Sequence, residues 1–281
     1  MRLDDLRELV GRVSLSELAQ LNVVSWYRIH AIHYLLRKAK GESVRYRRMM
    51  QPEEFKRAIL EDICGVYVPG SGQLEEVLNR ARERMDSIHR ALKEAGYVLF
   101  DVLTTTSSRL LVGMSDETFG RQVFDVGISW DPCLNLPYIP ASSLKGAFRT
   151  YLRGRQVSIK GEALEELLGS RRRASYIVFA DSYPVAVRGP LLVPEVTTPI
   201  YSEVERRVYE SKARPVPVVY LAVNEGVTFR IIVGLNKVRA SRAGLSPNLL
   251  EELENLLTHY LRDALKYGVG AKTTLGYGIL E

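Results

Sequence analysis

The chain has 281 residues, of which 46% are hydrophobic and 26% charged, the proportions of a folded protein, which excludes a disordered or fibrous one. Its formal net charge of +6 is a moderate excess that favours a polyanionic partner without naming one. Two cysteines, Cys64 and Cys133, exclude a dense disulfide framework, and the lack of a close Cys/His quartet excludes structural zinc. Both read as small buried hydrophobes. Met1-Arg-Leu-Asp-Asp carries charge where a secretory signal needs an apolar run, and no apolar stretch reaches the length of a membrane span. A cytoplasmic location is expected.

The first third reads as helices. Ser14 with Glu17 forms a capping box, and Leu15, Leu18, Leu21, Ile29, Ile32, Leu35 and Leu36 follow at helical spacing until Gly41. A second helix is predicted from Pro52 to Gly65, with Phe55, Ile59 and Ile63 on one face. Residues 66–72 read as a linker. A third helix is predicted over 73–95, burying Leu74, Val77, Leu78, Ala81, Met85, Ile88 and Leu92, with Gly96 as its stop. Residues 1–95 are therefore expected to form a helical module, and 96–281 a second domain.

Beyond Gly96 the period changes to that of strands. Residues 97–103 and 109–114 are rich in β-branched and aromatic side chains. A stretch with Gly120, Gly127, Pro132, Pro137 and Pro140 leads to Ser142-Ser143, the expected N-cap of a helix through Arg153. Residues 176–180 read as a strand, and 217–223 with 228–233 as a hairpin around Asn224-Glu225-Gly226. Ser246-Pro247 opens an amphipathic helix with Leu249, Leu253, Leu256, Leu257, Tyr260 and Ala264 on one face. A short strand follows Gly276. This order predicts an α+β, ferredoxin-like domain: an antiparallel sheet with two helices on one face. The RRM shares that arrangement and takes single-stranded RNA on its open sheet or adjoining loops.

Two motifs carry chemistry. In Leu136-Pro-Tyr-Ile-Pro-Ala-Ser-Ser-Leu-Lys-Gly-Ala-Phe-Arg-Thr-Tyr-Leu-Arg153, a proline-bounded loop brings the hydroxyls of Ser142 and Ser143 to a helix start, where unpaired amides favour anions. Lys145, Arg149 and Arg153 then share one stripe of that helix. A lysine in the first turn opposes the helix dipole, a local cost that a bound phosphate relieves; a merely solvated basic face fits the residue types equally well. The second motif is Gly268-Val-Gly-Ala-Lys-Thr-Thr-Leu-Gly-Tyr-Gly278. Gly268, Gly270, Gly276 and Gly278 permit positive φ and close approach to a ligand, and successive amides can cradle an anion. Lys272 adds charge, Thr273 and Thr274 add hydroxyls, and Tyr277 can stack on a base. The order is not that of a phosphate-binding P-loop, and a plain glycine-rich turn before a last strand is the simpler reading.

Together with Ser108-Arg-Leu-Leu-Val-Gly, Val178-Phe-Ala-Asp-Ser-Tyr-Pro184 and Pro217-Val-Val-Tyr-Leu-Ala-Val223, these motifs resemble the RAMP superfamily of CRISPR proteins. The Gly-Val-Gly-Ala-Lys-Thr ending is most similar to that of the sixth-subunit family of type III-B Cmr effector complexes. The resemblance covers about 108 to 281. It implies a RAMP fold and a non-catalytic role in antiviral defence: binding crRNA toward the 3′ part of the guide, and possibly target RNA, beside the other Cmr subunits, chiefly the repeated RAMP backbone subunit. It implies no cofactor, no metal and no catalytic residue. Ala141 departs from the family's usual glycine, and 195–200 from its frequent Pro-His after an Asp-Val. Two other RAMP roles stay open: an endoribonuclease that processes CRISPR repeat RNA, and a subunit of a type III-A (Csm) assembly.

Arg28, Arg37, Lys38, Lys40, Arg45, Arg47 and Arg48, interleaved with Trp26, Tyr27, Tyr34 and Tyr46, offer a second RNA surface or simply a helix with a basic end. Arg171-Arg172-Arg173 reads as a loop that contacts phosphates or is only solvated. His30 and His33 share a helical face without a third metal ligand. His89 and His259 read as surface or interface residues. Asp125 and Asp131 lie in the loop before the Lys145 helix and Asp181 follows a strand, but a general base needs a geometry that spacing does not supply.

Overall fold

A computed structural model of the chain describes residues 22–39, 44–46, 48–50, 52–114, 126–159, 162–171, 173–197, 202–204, 207–209, 218–242 and 246–281. In chain order these form α1 (Val23–Ala39), β1 (Val44–Tyr46), β2 (Arg48–Met50), α2 (Pro52–Val66), α3 (Gly72–Glu94), β3 (Val98–Thr105), β4 (Trp130–Asp131), β5 (Leu136–Pro137) and α4 (Ala141–Arg155). There follow β6 (Ser158–Ile159), β7 (Glu162–Ala163), a 3₁₀ turn (Leu164–Leu168), β8 (Ile177–Phe179), β9 (Tyr183–Val187), β10 (Leu192–Thr197), β11 (Ser202–Val204), β12 (Arg207–Tyr209), β13 (Val218–Val223), β14 (Val227–Leu235), α5 (Lys237–Arg242), α6 (Pro247–Lys266) and a 3₁₀ turn (Thr273–Leu275). The capping box of Ser14 and Glu17, with Leu15, Leu18, Leu21 and Gly41, lies outside the described residues.

Two compact units form, and each takes three stretches of the chain: Met1–Leu74, Gly113–Asn135 and Pro190–Ala222 in one, Glu75–Val112, Leu136–Gly189 and Val223–Glu281 in the other. In the first unit, Val23, Trp26, Tyr27, Ile59, Leu60, Ile63 and Tyr67 are buried. Tyr67 donates from its hydroxyl to the Asn135 carbonyl at 2.7 Å, and Asn135 Oδ1 accepts the Val23 amide at 3.1 Å. One residue, through its backbone carbonyl and its side-chain oxygen, thereby ties Tyr67 and the start of α1 to a loop distant in sequence. Trp26 and Tyr27 are core residues, only 3% and 1% exposed, which removes them from the suggested stacking surface. The Cys64 thiol is pushed up to about 12, by burial first and then by Glu61, whereas Cys133 is exposed and not the buried hydrophobe expected. α3 is capped by Ser71, whose Oγ accepts the Leu74 amide at 3.2 Å.

The second unit is the ferredoxin-like core. β14 lies centrally, antiparallel to β3 along its whole length and to β8 and β9 on its other side. The C-terminal residues complete the sheet: Thr106 bridges Leu280, and Thr105 and Glu281 exchange amide hydrogen bonds. The order is thus the C-terminal bridge at Leu280, which forms no strand beyond it, then β3, β14 and β8, with α4 and α6 as the two crossover helices. Phe100, Val102 and Thr104 share the helix-covered face with Phe229, Ile231 and Val233, all buried. Leu144, Phe148 and Leu152 of α4, and Leu253, Leu257, Leu261, Ala264 and Leu265 of α6, close that core. At roughly 1.5–3 kcal/mol for each fully buried large apolar side chain, this face dominates the unit's stability.

Two expectations about strands are corrected. The segments on either side of Asn224-Glu225-Gly226 are strands but do not pair as a hairpin. β13 pairs with β10, and β14 with β3, β8 and β9. The reason is local: Thr106 donates its amide to Val227 O at 2.9 Å and its hydroxyl to Asn224 O at 2.7 Å, while Gly226 N reaches Thr106 O, so β3 occupies the groups a hairpin would use. Residues 109–114 form no strand beyond the single bridge of Leu110 to Val223.

The opposite face of the sheet is not open as in an RRM. α3 lies against it, with Arg82 Nε donating to Val185 O at 2.7 Å and Arg230 pairing with Asp101 at 2.6 Å and with Asp86 of α3. The Asp101 hydrogen bonds hold the Arg230 guanidinium well above its usual range. What this face leaves uncovered is a strip around Leu103, 63% exposed, and the Thr105–Thr228 hydroxyl pair at 3.0 Å.

Candidate nucleic-acid interface

The helix that carries the first motif starts one turn-position earlier than its serines suggest. α4 begins at Ala141 with Pro140 in the N-cap position and no side-chain cap from its own sequence. Ser142 and Ser143 sit inside the first turn, exposed and half-buried respectively, so their hydroxyls are not used as caps. The orphan amide of Ala141 is instead satisfied by Asp181 Oδ1 at 2.7 Å, from the turn between β8 and β9. The neighbouring Ser182 is fully buried, exchanges both backbone hydrogen bonds with Ile139 and donates its hydroxyl to Arg230 O at 2.8 Å. Much of the Ala-Asp-Ser-Tyr-Pro motif therefore exists to hold the start of α4. The carboxylate of Asp181 is a helix cap rather than a free base, and Asp131 likewise accepts the amides of Cys133 and Leu134.

Along the basic stripe the three cations differ. Arg149 Nη2 donates to the carbonyls of Leu168 and Gly169 at 3.0 and 2.7 Å, closing the end of a 3₁₀ turn; those acceptors are neutral and leave its charge unbalanced. Arg153 Nε pairs with Glu165 at 2.9 Å. Lys145 has no hydrogen-bond or ion-pair partner among the described residues. Burial, and then the Arg149 guanidinium, hold the Lys145 ammonium below its usual range, the signature of a cation lacking a counter-charge.

The second motif packs as tightly as a core. Gly268, Gly270, Gly276 and Gly278 all have positive φ, and so does Lys272 at 59°. A Cβ on Gly270 would lie 2.2 Å from Leu111 O, and one on Gly278 2.1 Å from Val269 O, so these two glycines serve close backbone approach within the fold. The amides of Gly268, Val269, Ala271, Leu275, Gly276, Tyr277 and Gly278 all reach backbone carbonyls, among them Leu111 and Arg109. The anion cradle anticipated from the sequence narrows accordingly to Gly270, Thr273 and Thr274. Thr273 is half-buried and Thr274 exposed, and the Lys272 ammonium lies 5.7 Å from the Tyr277 ring centroid. The contact seen between the two motifs' elements falls at the far end of α4, where Arg155 donates to the Tyr267 hydroxyl just before Gly268. Ser143 and Arg155 are separated by roughly 18 Å of helix.

Other candidates take structural places. His30 is buried with its ring 4.4 Å from that of Trp26, and no group of three or more metal-ligating side chains occurs among the described residues. Arg173 lies over the Tyr176 ring at 5.4 Å and 3.9 Å from Glu166. His89 sits 3.8 Å from Asp101 and His259 3.5 Å from Asp263. Asp125 and Arg172 lie outside the described residues, as do the side chains of His33, Tyr34 and Tyr46. No described helix is long and apolar enough to cross a membrane.

A sheet of this order under two helices, reached at its C-terminal bridge through a glycine-rich loop, has a recognised counterpart. The model of the RAMP superfamily matches residues 102–281, and the chain belongs to that superfamily. Within it the similarity is to Cmr6. The chain is 30% identical over 227 residues to the CRISPR system CMR subunit Cmr6 of Saccharolobus solfataricus, an alignment covering 81% of this chain and 70% of that one. It is 26% identical to the CRISPR system Cmr subunit Cmr6 of Pyrococcus furiosus, over 62% of this chain and 65% of that one. It also superposes with a TM-score of 0.72 and 26% identity on a chain from the cryo-EM structure of the type III-B Cmr-beta bound to cognate target RNA, covering 100% of this chain and 96% of that one.

Proposed function

We propose that this chain is a non-catalytic, crRNA-binding subunit of a type III-B Cmr effector complex, acting in cytoplasmic antiviral defence. It holds the guide toward its 3′ part, beside the repeated RAMP backbone subunit, with target RNA pairing to the guide it holds. The observation that carries this reading is the state of Lys145: a half-buried ammonium one turn into α4, preceded by serine hydroxyls that cap nothing, repelled by Arg149 and unpaired among the described residues. A phosphate diester supplies what that position lacks, a negative charge at a helix start. Arg149 adds its unbalanced charge, and Arg153, already met by Glu165, contributes chiefly position. From the loop, Thr273 and Thr274 bring hydroxyls and Gly270 an exposed backbone, beside the Lys272 ammonium over the Tyr277 ring; Gly268 and Gly276 shape the turn. The non-catalytic part of the reading is supported by the structural employment of the nearby carboxylates, Asp181 and Asp131.

The test is reconstitution. Lys145→Glu is expected to lower guide retention by the assembled complex at least tenfold while its melting curve stays that of the unaltered chain. Undiminished retention refutes the grip. Incubation of the purified chain with CRISPR repeat RNA is expected to leave the RNA intact; specific cleavage lost with a histidine substitution would make it a processing enzyme instead.

A further inference from the structure

Outside both motifs the second unit carries another cluster of aromatic and cationic side chains, where the last turns of α4 meet the last turns of α6. Tyr151 lies with its ring centroid 5.4 Å from that of Tyr267 and 6.4 Å from that of Tyr260. The Arg155 guanidinium sits 5.8 and 5.5 Å from the centroids of Tyr151 and Tyr267 and donates to the Tyr267 hydroxyl. Tyr267 is 62% exposed. The carboxylate in the neighbourhood, Asp263, accepts the Tyr151 hydroxyl at 3.3 Å and lies 3.5 Å from His259. Arg155 forms no direct ion pair among the described residues, Asp263 acting on it only from a distance, and the exposed Arg262 and Lys266 on α6 add to the same sign.

We propose that this cluster is a stacking site for single-stranded RNA, in which one base lies on the open face of Tyr267 and an adjoining phosphate meets Arg155. The inference rests on the RNA-binding reading above and adds a site that neither motif contains. Three features argue for it. A large ring left mostly in water is suited to pick up another flat surface, and a purine or pyrimidine face is sequence-tolerant. Arg155 fixes the Tyr267 ring through its hydroxyl, so little side-chain freedom remains to be lost on binding. The local charge, in which Arg155, Arg262 and Lys266 outnumber Asp263 among the described residues, suits a polyanion better than a protein surface. Tyr267 also directly precedes Gly268, so a strand held by the glycine-rich loop is delivered to the ring by chain continuity alone.

The experiment titrates the purified full chain with a fluorescent single-stranded oligoadenylate and with the matching abasic ribose-phosphate oligomer, at low and high salt. Tyr267→Ala is expected to weaken the oligoadenylate by about 5- to 100-fold while leaving abasic affinity and the salt slope unchanged. Tyr267→Phe, which keeps the ring but loses its hydrogen bond from Arg155, should retain most of the oligoadenylate affinity, and Lys145→Glu should weaken both oligomers. Since Tyr267 is exposed, unchanged melting of the variants verifies the fold. Equal losses on both oligomers, or no loss with Tyr267→Ala while Lys145→Glu still impairs binding, overturn the stacking site and leave the backbone grip standing. Undisturbed RNA affinity with reduced retention of a neighbouring subunit overturns it in favour of a protein-docking surface. Failure of the unaltered chain to bind either oligomer overturns both readings.

Discussion

The two motifs that stand out in the sequence are built on opposite principles. The glycine-rich loop at 268–278 looks like a ligand cradle, yet seven of its amides and two of its glycines are occupied by the fold, against the carbonyls of Arg109, Leu111 and Val269. The start of α4 looks like an ordinary capped helix, yet its serines cap nothing, its cap comes from Asp181, and its lysine lacks a counter-charge among the described residues. Glycine content alone therefore locates the tightest packing, whereas an uncompensated charge marks a position that a partner would stabilise. The distinction follows from energetics: a positive-φ glycine against a carbonyl cannot accept a side chain, while a desolvated cation is stabilised by a partner it lacks.

The harshest way to break this comparison is to add a single methyl group to the loop. Gly270→Ala and Gly278→Ala should each destabilise the chain by roughly 3 kcal/mol or more, combining overpacking with positive-φ strain. In thermal unfolding that is a fall on the order of 10 °C. Gly276→Ala, whose Cβ would meet nothing within 4 Å, should cost only about 1–2 kcal/mol of backbone strain. If all three melted alike, the loop would not be packed as described.

Arg149→Ala tests the stripe next. It strips the Leu168 and Gly169 carbonyls of their donor, for an expected loss of about 1–3 kcal/mol, and it removes the repulsion on Lys145. Lys145→Ala should show the reverse profile: stability kept or slightly raised at neutral pH, but an RNA-binding salt slope smaller by about 0.7 for one lost single-strand phosphate contact. Arg153→Ala breaks only an exposed pair and should change stability by less than about 1 kcal/mol.

The smallest effect is in pH dependence. Because the folded Lys145 is held below its ordinary 10.5, the unfolded chain binds more protons between the lowered value and 10.5. Stability should therefore rise with pH through that window. A difference curve of melting temperature between the unaltered chain and Lys145→Ala isolates this contribution, and saturating RNA should abolish it by supplying the missing charge. A flat difference curve would mean that Lys145 is not under strain.

Much of the second unit was legible along the chain. The alternation of β3, the amphipathic face of α6 and the order of strands and helices pointed to the ferredoxin-like core, because hydrophobic period reports which face is buried. Strand partners were not legible. β13 and β14 flank a turn as a hairpin would, but Thr106 takes the turn's backbone groups. Nor was the cover over the sheet's second face: α3 reads as a helix of a separate module, yet Arg230 draws it onto the sheet through Asp86. Of the candidate site, the stripe Lys145, Arg149 and Arg153 was visible by spacing, while the division of labour within it was not. Tyr267 and Arg155 escaped notice because they are 112 residues apart and belong to no motif.

What the linear order of residues determined by itself was the alphabet of this protein: which segments are helices or strands, where the backbone must turn left-handed, and which cations lie on one stripe. Those properties depend on neighbours within a few positions, through periodicity, capping and φ preference. The tertiary structure alone decided which charges are neutralised and which amides are taken, because both depend on partners such as Glu165, Asp181 and Leu111 brought near from elsewhere in the chain. A binding surface is what remains after those pairings are made, and no local pattern can announce a remainder.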